Sequence, residues 1–99
     1  MISPMFLRFH AELEATHRKA CEITGEDFPV LKELMRKYGA VKAAKILLSD
    51  DYNLNAGFVY LRERKMLDYS VEQVVLNYES SGLFTPEEID VAKKRLNEL

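Results

Sequence analysis

Proline occurs three times in the chain, at Pro4, Pro29 and Pro86, and each stands where a helix can begin. Proline has no amide hydrogen and a fixed φ, so it suits the first turn of a helix and breaks the interior. Ser3-Pro4 reads as an N-cap followed by a first helical residue. Thr85-Pro86-Glu87-Glu88 reads as a capping box, in which the hydroxyl and the carboxylate three residues on each satisfy a free amide. Ser70-Val71-Glu72-Gln73 has the same form, and Asp27 is placed to cap a helix that runs through Pro29.

Apolar spacing fills in the helices behind these starts. Phe6, Phe9, Leu13, Ala20 and Ile23 predict a helix from about Pro4 to Ile23, closed by Thr24-Gly25. Leu31, Leu34, Met35 and Tyr38 form the inward face of a second, from about Phe28 to Tyr38, and Gly39 supplies a left-handed stop. Val41, Ala44, Leu47 and Leu48 mark a third over Ala40 to Leu48. Ser49 to Ala56 is rich in Asp and Asn and reads as a loop, before a short helix from Gly57 to about Lys65. Val71, Val74, Val75 and Tyr78 predict a fifth helix, and Ile89, Ala92, Leu96 and Leu99 a sixth from Pro86 to about Glu98. No segment alternates with period two and no Asn-Gly or Asp-Gly hairpin signal occurs. The expected fold is all-α, a single compact bundle of five or six short helices over residues 1–99.

At 99 residues the chain has room for one modest core, which excludes a multi-domain enzyme. The single cysteine, Cys21, excludes an internal disulfide and points to a reducing, cytoplasmic setting. The first residues show no signal peptide, and no window approaches the ~20 apolar residues of a membrane span. The net charge of −2 does not mark an obvious nucleic-acid or membrane binder. Charge is nevertheless uneven: Lys32 to Lys65 holds eight basic and four acidic residues, whereas Met66 to Leu99 holds three and seven. Such a dipole either ties helix faces together within the monomer or steers a charged partner.

The densest chemistry lies on the first helix, where His10, Glu14, His17 and Cys21 are spaced four, three and four. The spacing makes one stripe of metal-ligating types. It spans roughly 16 Å at ~1.5 Å per residue, so one ion reaches only neighbouring pairs. A tight site needs three or four ligands, and no third histidine or second cysteine exists. No metal or other cofactor is therefore expected. Cys21 with His17 one turn away could pair a nucleophile with a base, but no glycine-rich loop or strand-to-helix elbow supplies an oxyanion hole. The chain reads as a non-enzyme. The Asp50-Asp51-Tyr52-Asn53-Leu54-Asn55 stretch lacks the glycine and the closing glutamate of a calcium loop.

Two binding surfaces remain. Tyr52, Phe58, Tyr60 and Tyr69 lie on helices or loops too short to bury such rings fully, and are the candidate protein-interaction residues. Lys37, Lys42, Lys45, Arg62 and Arg64 are the candidate phosphate contacts of a basic 32–65 stretch. A helix-turn-helix pivoting on Gly39 is disfavoured, because Lys45 falls where a buried aliphatic is needed and the connection is too short.

The segments GAVKAAKILL (39–48), Gly57-Phe58, Leu67-Asp68-x-Ser70-Val71-Glu72 and Leu83-Phe84-Thr85-x-Glu87-Glu88-Ile89, with Ala92 and Arg95-Leu96, resemble a family of small, uncharacterised bacterial all-helical domains. Phe9-His10 is similar to its opening helix, and the likeness covers most of the chain. Met66 and Tyr69 depart from it, where the pattern more often reads Arg-Leu-Asp-Leu. The resemblance implies a bacterial, cytoplasmic helical domain and carries no catalytic residue across. The reading is a non-enzymatic protein-interaction or regulatory module whose partner is another protein, a second copy of the chain included. The alternative is a nucleic-acid-associated accessory domain.

Overall fold

Three side-chain caps start three helices as their sequences require. Ser3 Oγ accepts from the Phe6 amide at 3.1 Å, Ser70 Oγ from the Gln73 amide at 3.1 Å, and Thr85 Oγ1 from the Glu88 amide at 3.1 Å. Glu88 Oε1 returns a bond to the Thr85 amide at 2.8 Å, which completes the capping box. The structure, a computed structural model, describes residues 3–49 and 56–97. Among these it has six α-helices and no strand: α1 Pro4–Thr24, α2 Pro29–Tyr38, α3 Ala40–Leu48, α4 Ala56–Glu63, α5 Val71–Asn77 and α6 Pro86–Asn97. Single 3-10 turns at Leu67–Tyr69 and Glu79–Ser81 lead into and out of α5. The all-α bundle is thus as expected, with boundaries moved by one or two residues. The Cα radius of gyration of 12.5 Å matches the ~13 Å of a compact chain of this length.

α3 is the hub. Six of its residues are buried, and it packs against α1, α2, α5 and α6. Its Ala40, Val41, Ala44 and Leu48 meet Phe9 and Leu13 of α1, Val74 and Val75 of α5, Phe84 just before α6, and Ile89 and Ala92 within it. Phe9 is fully buried, with its ring edge-to-face against Phe84 at 5.0 Å and Tyr78 at 5.3 Å. The hydroxyl of Tyr78 and the amide of Asn77 both donate to Glu12, which ties α5 to α1.

Several local expectations are corrected. Asp27 does not cap α2; Phe28 holds the N-cap position with φ 44, and no side chain caps the helix. Gln73 does not reach back to close a second capping box, because its amide donates to Asn77 Oδ1 at 3.1 Å instead. Ile23 and Tyr38, expected inward, are 51% and 47% exposed. Ile23 lies past the part of α1 that meets the core, and the Tyr38 ring lies under Lys42 Nζ at 5.1 Å. α4 stops at Glu63 rather than Lys65, because Lys65 turns left-handed (φ 59) and the Met66 amide bonds back to Leu61 O at 2.8 Å. This closing turn needs a positive φ and usually takes glycine. The Leu99 expectation lies outside the described residues.

Gly39 is the one residue between α2 and α3. Its φ of 83 and ψ of 168 lie in a region that essentially glycine alone adopts. Here it serves as C-cap of one helix and N-cap of the next.

One ion pair joins the basic middle to the acidic C-terminal third among the described residues. Lys45 Nζ lies 2.8 Å from Glu88 Oε1, which also takes the Thr85 amide. Burial alone would push the Glu88 carboxyl up, but the Lys45 ammonium and the Thr85 amide outweigh it and hold the carboxyl below its ordinary value. A depressed carboxylate stabilises the fold above its unfolded pKa, ~4.3, and that stability is lost as pH falls through the lower folded value. Urea melts at neutral and acidic pH should therefore show Glu88→Gln weakening the protein most at neutral pH and converging with the parent in acid. Thr85→Ala should cost about 1 kcal/mol, as for other lost caps.

Candidate functional site

Three of the four aromatic residues singled out in the sequence come together. Phe58 and Tyr60 of α4 and Tyr69 of the turn before α5 line one cavity of about 300 Å³. Tyr52, the fourth, lies outside the described residues. The closing turn at Lys65 and Met66 is what folds Leu67–Tyr69 back beside α4. Phe28 and, from the α2 start, Val30 and Leu31 also line the cavity, with Ala20 of α1 and Leu47 of α3. Phe28 is the keystone. Its ring stands edge-to-face on Tyr60 at 5.5 Å and at 6.5 Å from the His17 ring, and the Gly57 backbone passes close enough that a Cβ there would sit 3.5 Å from it. A left-handed backbone costs a phenylalanine ~1–3 kcal/mol, and such strain persists only where surrounding contacts hold it.

His17 is one of those holds. Its Nε2 faces two carbonyl oxygens, Asp27 O at 3.1 Å and Phe28 O at 3.3 Å, so this nitrogen carries the hydrogen and donates. The ring thereby pins the α1–α2 turn. Cys21 Sγ lies 3.7 Å from the same nitrogen and donates to Asp27 O at 3.5 Å. Burial, helped by the Asp27 charge, pushes the Cys21 thiol up, away from thiolate character. His10 and Glu14 pair with each other at 2.6 Å. The stripe thus splits into two pairs, as its length required. Among the described residues no three His, Cys, Asp or Glu side chains are grouped to hold a metal ion.

Each basic candidate makes contacts of its own, and Lys42 and Lys45 line one shallow groove with Tyr38. Lys37 lies 3.9 Å from Glu33, Lys45 is paired with Glu88 and sits over the Phe84 ring, and Lys42 covers Tyr38. Arg62 is half-buried on α4. The Arg64 guanidinium lies over the Tyr60 ring, 3.5 Å from its centroid.

Glu72 and Arg95 are the residues whose roles sequence reasoning missed. In the sequence Glu72 stands as a member of the Ser70–Gln73 segment. In the structure it is 3% exposed, lines the cavity, and accepts from Arg95 Nη1 at 2.9 Å. The same guanidinium donates to Leu47 O at 2.7 Å and Ser49 O at 3.1 Å, so Arg95 of α6 closes the end of α3 as well. Burial pushes the Glu72 carboxyl up, against the opposing pull of Arg95. A charge beside each apolar stripe is the signal that was present: Glu72 lies one turn from Val75, and Arg95 one turn from Ala92. Comparison of the chain with protein-family models, curated proteins and solved structures gives no match.

Proposed function

We propose that the chain is a non-enzymatic interaction module that receives an apolar side chain of a partner protein in the cavity between α2, α4 and the turn before α5. The cavity itself carries this reading: about 300 Å³, walled by Phe28, Phe58, Tyr60 and Tyr69. Val30 on its wall is 40% exposed, and Val59 on α4 is 37% exposed. Binding energy at protein interfaces concentrates in such pockets, where an anchor side chain is fully desolvated. A non-catalytic role is supported by the use of His17 on loop carbonyls and by the raised Cys21 thiol. A reducing bacterial cytoplasm fits the lone cysteine and the family resemblance.

A photo-cross-linking phenylalanine at position 58, activated in the source cell, tests the reading. The expected result is a discrete protein adduct that survives nuclease, is lost on Val30→Asp and is kept on Lys37→Glu. No adduct, or one indifferent to Val30→Asp, overturns it. An adduct destroyed by nuclease also does so and favours the nucleic-acid alternative.

A further inference from the structure

One residue of the cavity lining, Tyr60, carries a cation on its ring. Arg64 lies flat against Tyr60, with its guanidinium carbon 3.5 Å from the ring centroid and Nη1 donating to Tyr60 O at 3.3 Å. Tyr60 lines the cavity and is itself braced by Phe28. Two contacts on one residue hold a side chain that would otherwise lose considerable rotamer freedom on binding. Among the described residues the remaining donors of Arg64 meet no acceptor: the side chain is exposed, and the ion pairs are made by other cations. Glu72 and Glu26 are the acidic residues of the lining. Glu72 is engaged by Arg95, and Glu26 belongs to the α1–α2 turn rather than to α4. Arg64 is therefore a cation in direct contact with the ring of a lining residue and is not engaged by either lining acid. A planar guanidinium presents paired N–H donors that match a carboxylate.

The geometry points to a partner segment of defined chemistry: a bulky apolar residue that enters the cavity, with an aspartate or glutamate within the next two residues that meets Arg64. This rests on the interaction reading above and names the partner that it leaves open. The charge match is with Arg64 in particular, not with basic residues in general, although Arg62 and Lys65 flank it in the chain.

The test is an amide NMR titration with three blocked tripeptides, acetyl-Phe-Asp-Asp-amide, acetyl-Phe-Asn-Asn-amide and acetyl-Phe-Lys-Lys-amide. The acidic peptide should shift the amides of Phe58, Tyr60 and Tyr69 and bind about threefold or more tighter than the Asn peptide, as for an exposed ion pair. The Lys peptide should bind most weakly. Arg64→Gln should abolish the preference for acid, while Lys65→Gln, with the same loss of charge, should keep it. The spectra of the free variants show directly whether each remains folded. Equal affinity for the Asp and Asn peptides, or equal loss in the two variants, overturns the carboxylate assignment and leaves the cavity reading standing. No shift at the cavity with any of the three overturns both.

Discussion

Arg95→Leu is expected to destabilise the protein by about 3–5 kcal/mol, the cost of stranding one partner of a buried ion pair. The reason is the asymmetry of the two partners' surroundings. The Glu72 side chain is 4% exposed and Arg95 15%, so removing the guanidinium leaves a carboxylate with little access to water. It also leaves the Leu47 and Ser49 carbonyls without their donor. Glu72→Gln should cost less, about 1–2 kcal/mol, because an amide oxygen still accepts from Arg95 and the guanidinium left without its counter-ion reaches water more than the carboxylate does. The pH dependence has the opposite sign to that of Glu88. A raised carboxylate binds its proton more tightly folded than unfolded, so the Glu72 charge weakens the fold at neutral pH. That penalty fades as pH falls through the raised value, and Glu72→Gln removes the dependence. Urea denaturation of the two variants decides the matter: similar losses for both would mean that the carboxylate charge, and not its hydrogen bond alone, holds Arg95.

Phe9→Ala should cost a similar ~3–5 kcal/mol, by a different route. Phe9 is fully buried at the junction of α1, α3, α5 and α6, and the vacated space is bounded by Tyr78 and Phe84, whose own positions are fixed. Tyr78 is held through its hydroxyl to Glu12, and Phe84 precedes the capping box at Thr85. Collapse into the cavity is therefore resisted, which places the change at the costly end of the range. Against a total of about 5–15 kcal/mol for a small domain, this is a large fraction. Each kcal/mol moves the thermal midpoint of a domain this size by ~4–8 °C. Leu7→Ala, two residues away and 57% exposed, should leave the midpoint nearly unchanged and controls for a general effect on α1. A Phe9→Ala midpoint within a few degrees of the parent would show that α1 is not held by this core.

What the sequence revealed, and what it hid, follows from the range of the interactions involved. Ser3, Ser70 and Thr85 cap as expected because a cap is settled within three residues. The α3 face was legible because Val41, Ala44, Leu47 and Leu48 repeat at helical spacing in a helix surrounded on most sides. The Glu72–Arg95 pair was not, because its partners are separated by 23 residues and each looks like the solvated edge of its own helix. Phe28 displaced Asp27 at the start of α2 for a tertiary reason, the aromatic contacts that hold its ring in the cavity wall. The gathering of Phe58, Tyr60 and Tyr69 was foreseen as a set of exposed rings but not as a cavity. Part of its lining comes from the start of α2, some 30 residues earlier.

The Gly39 junction carries a consequence for how the chain can vary. With one residue between α2 and α3, the rotational phase of the second helix is set directly by the end of the first. Each α-helical residue advances the side-chain direction by about 100°. Lengthening the junction by one would therefore swing Val41, Ala44 and Leu48 out of the core and bring Lys42 and Lys45 toward it. Elsewhere a loop absorbs such a change; here the hub of the bundle has no slack, in identity or in length.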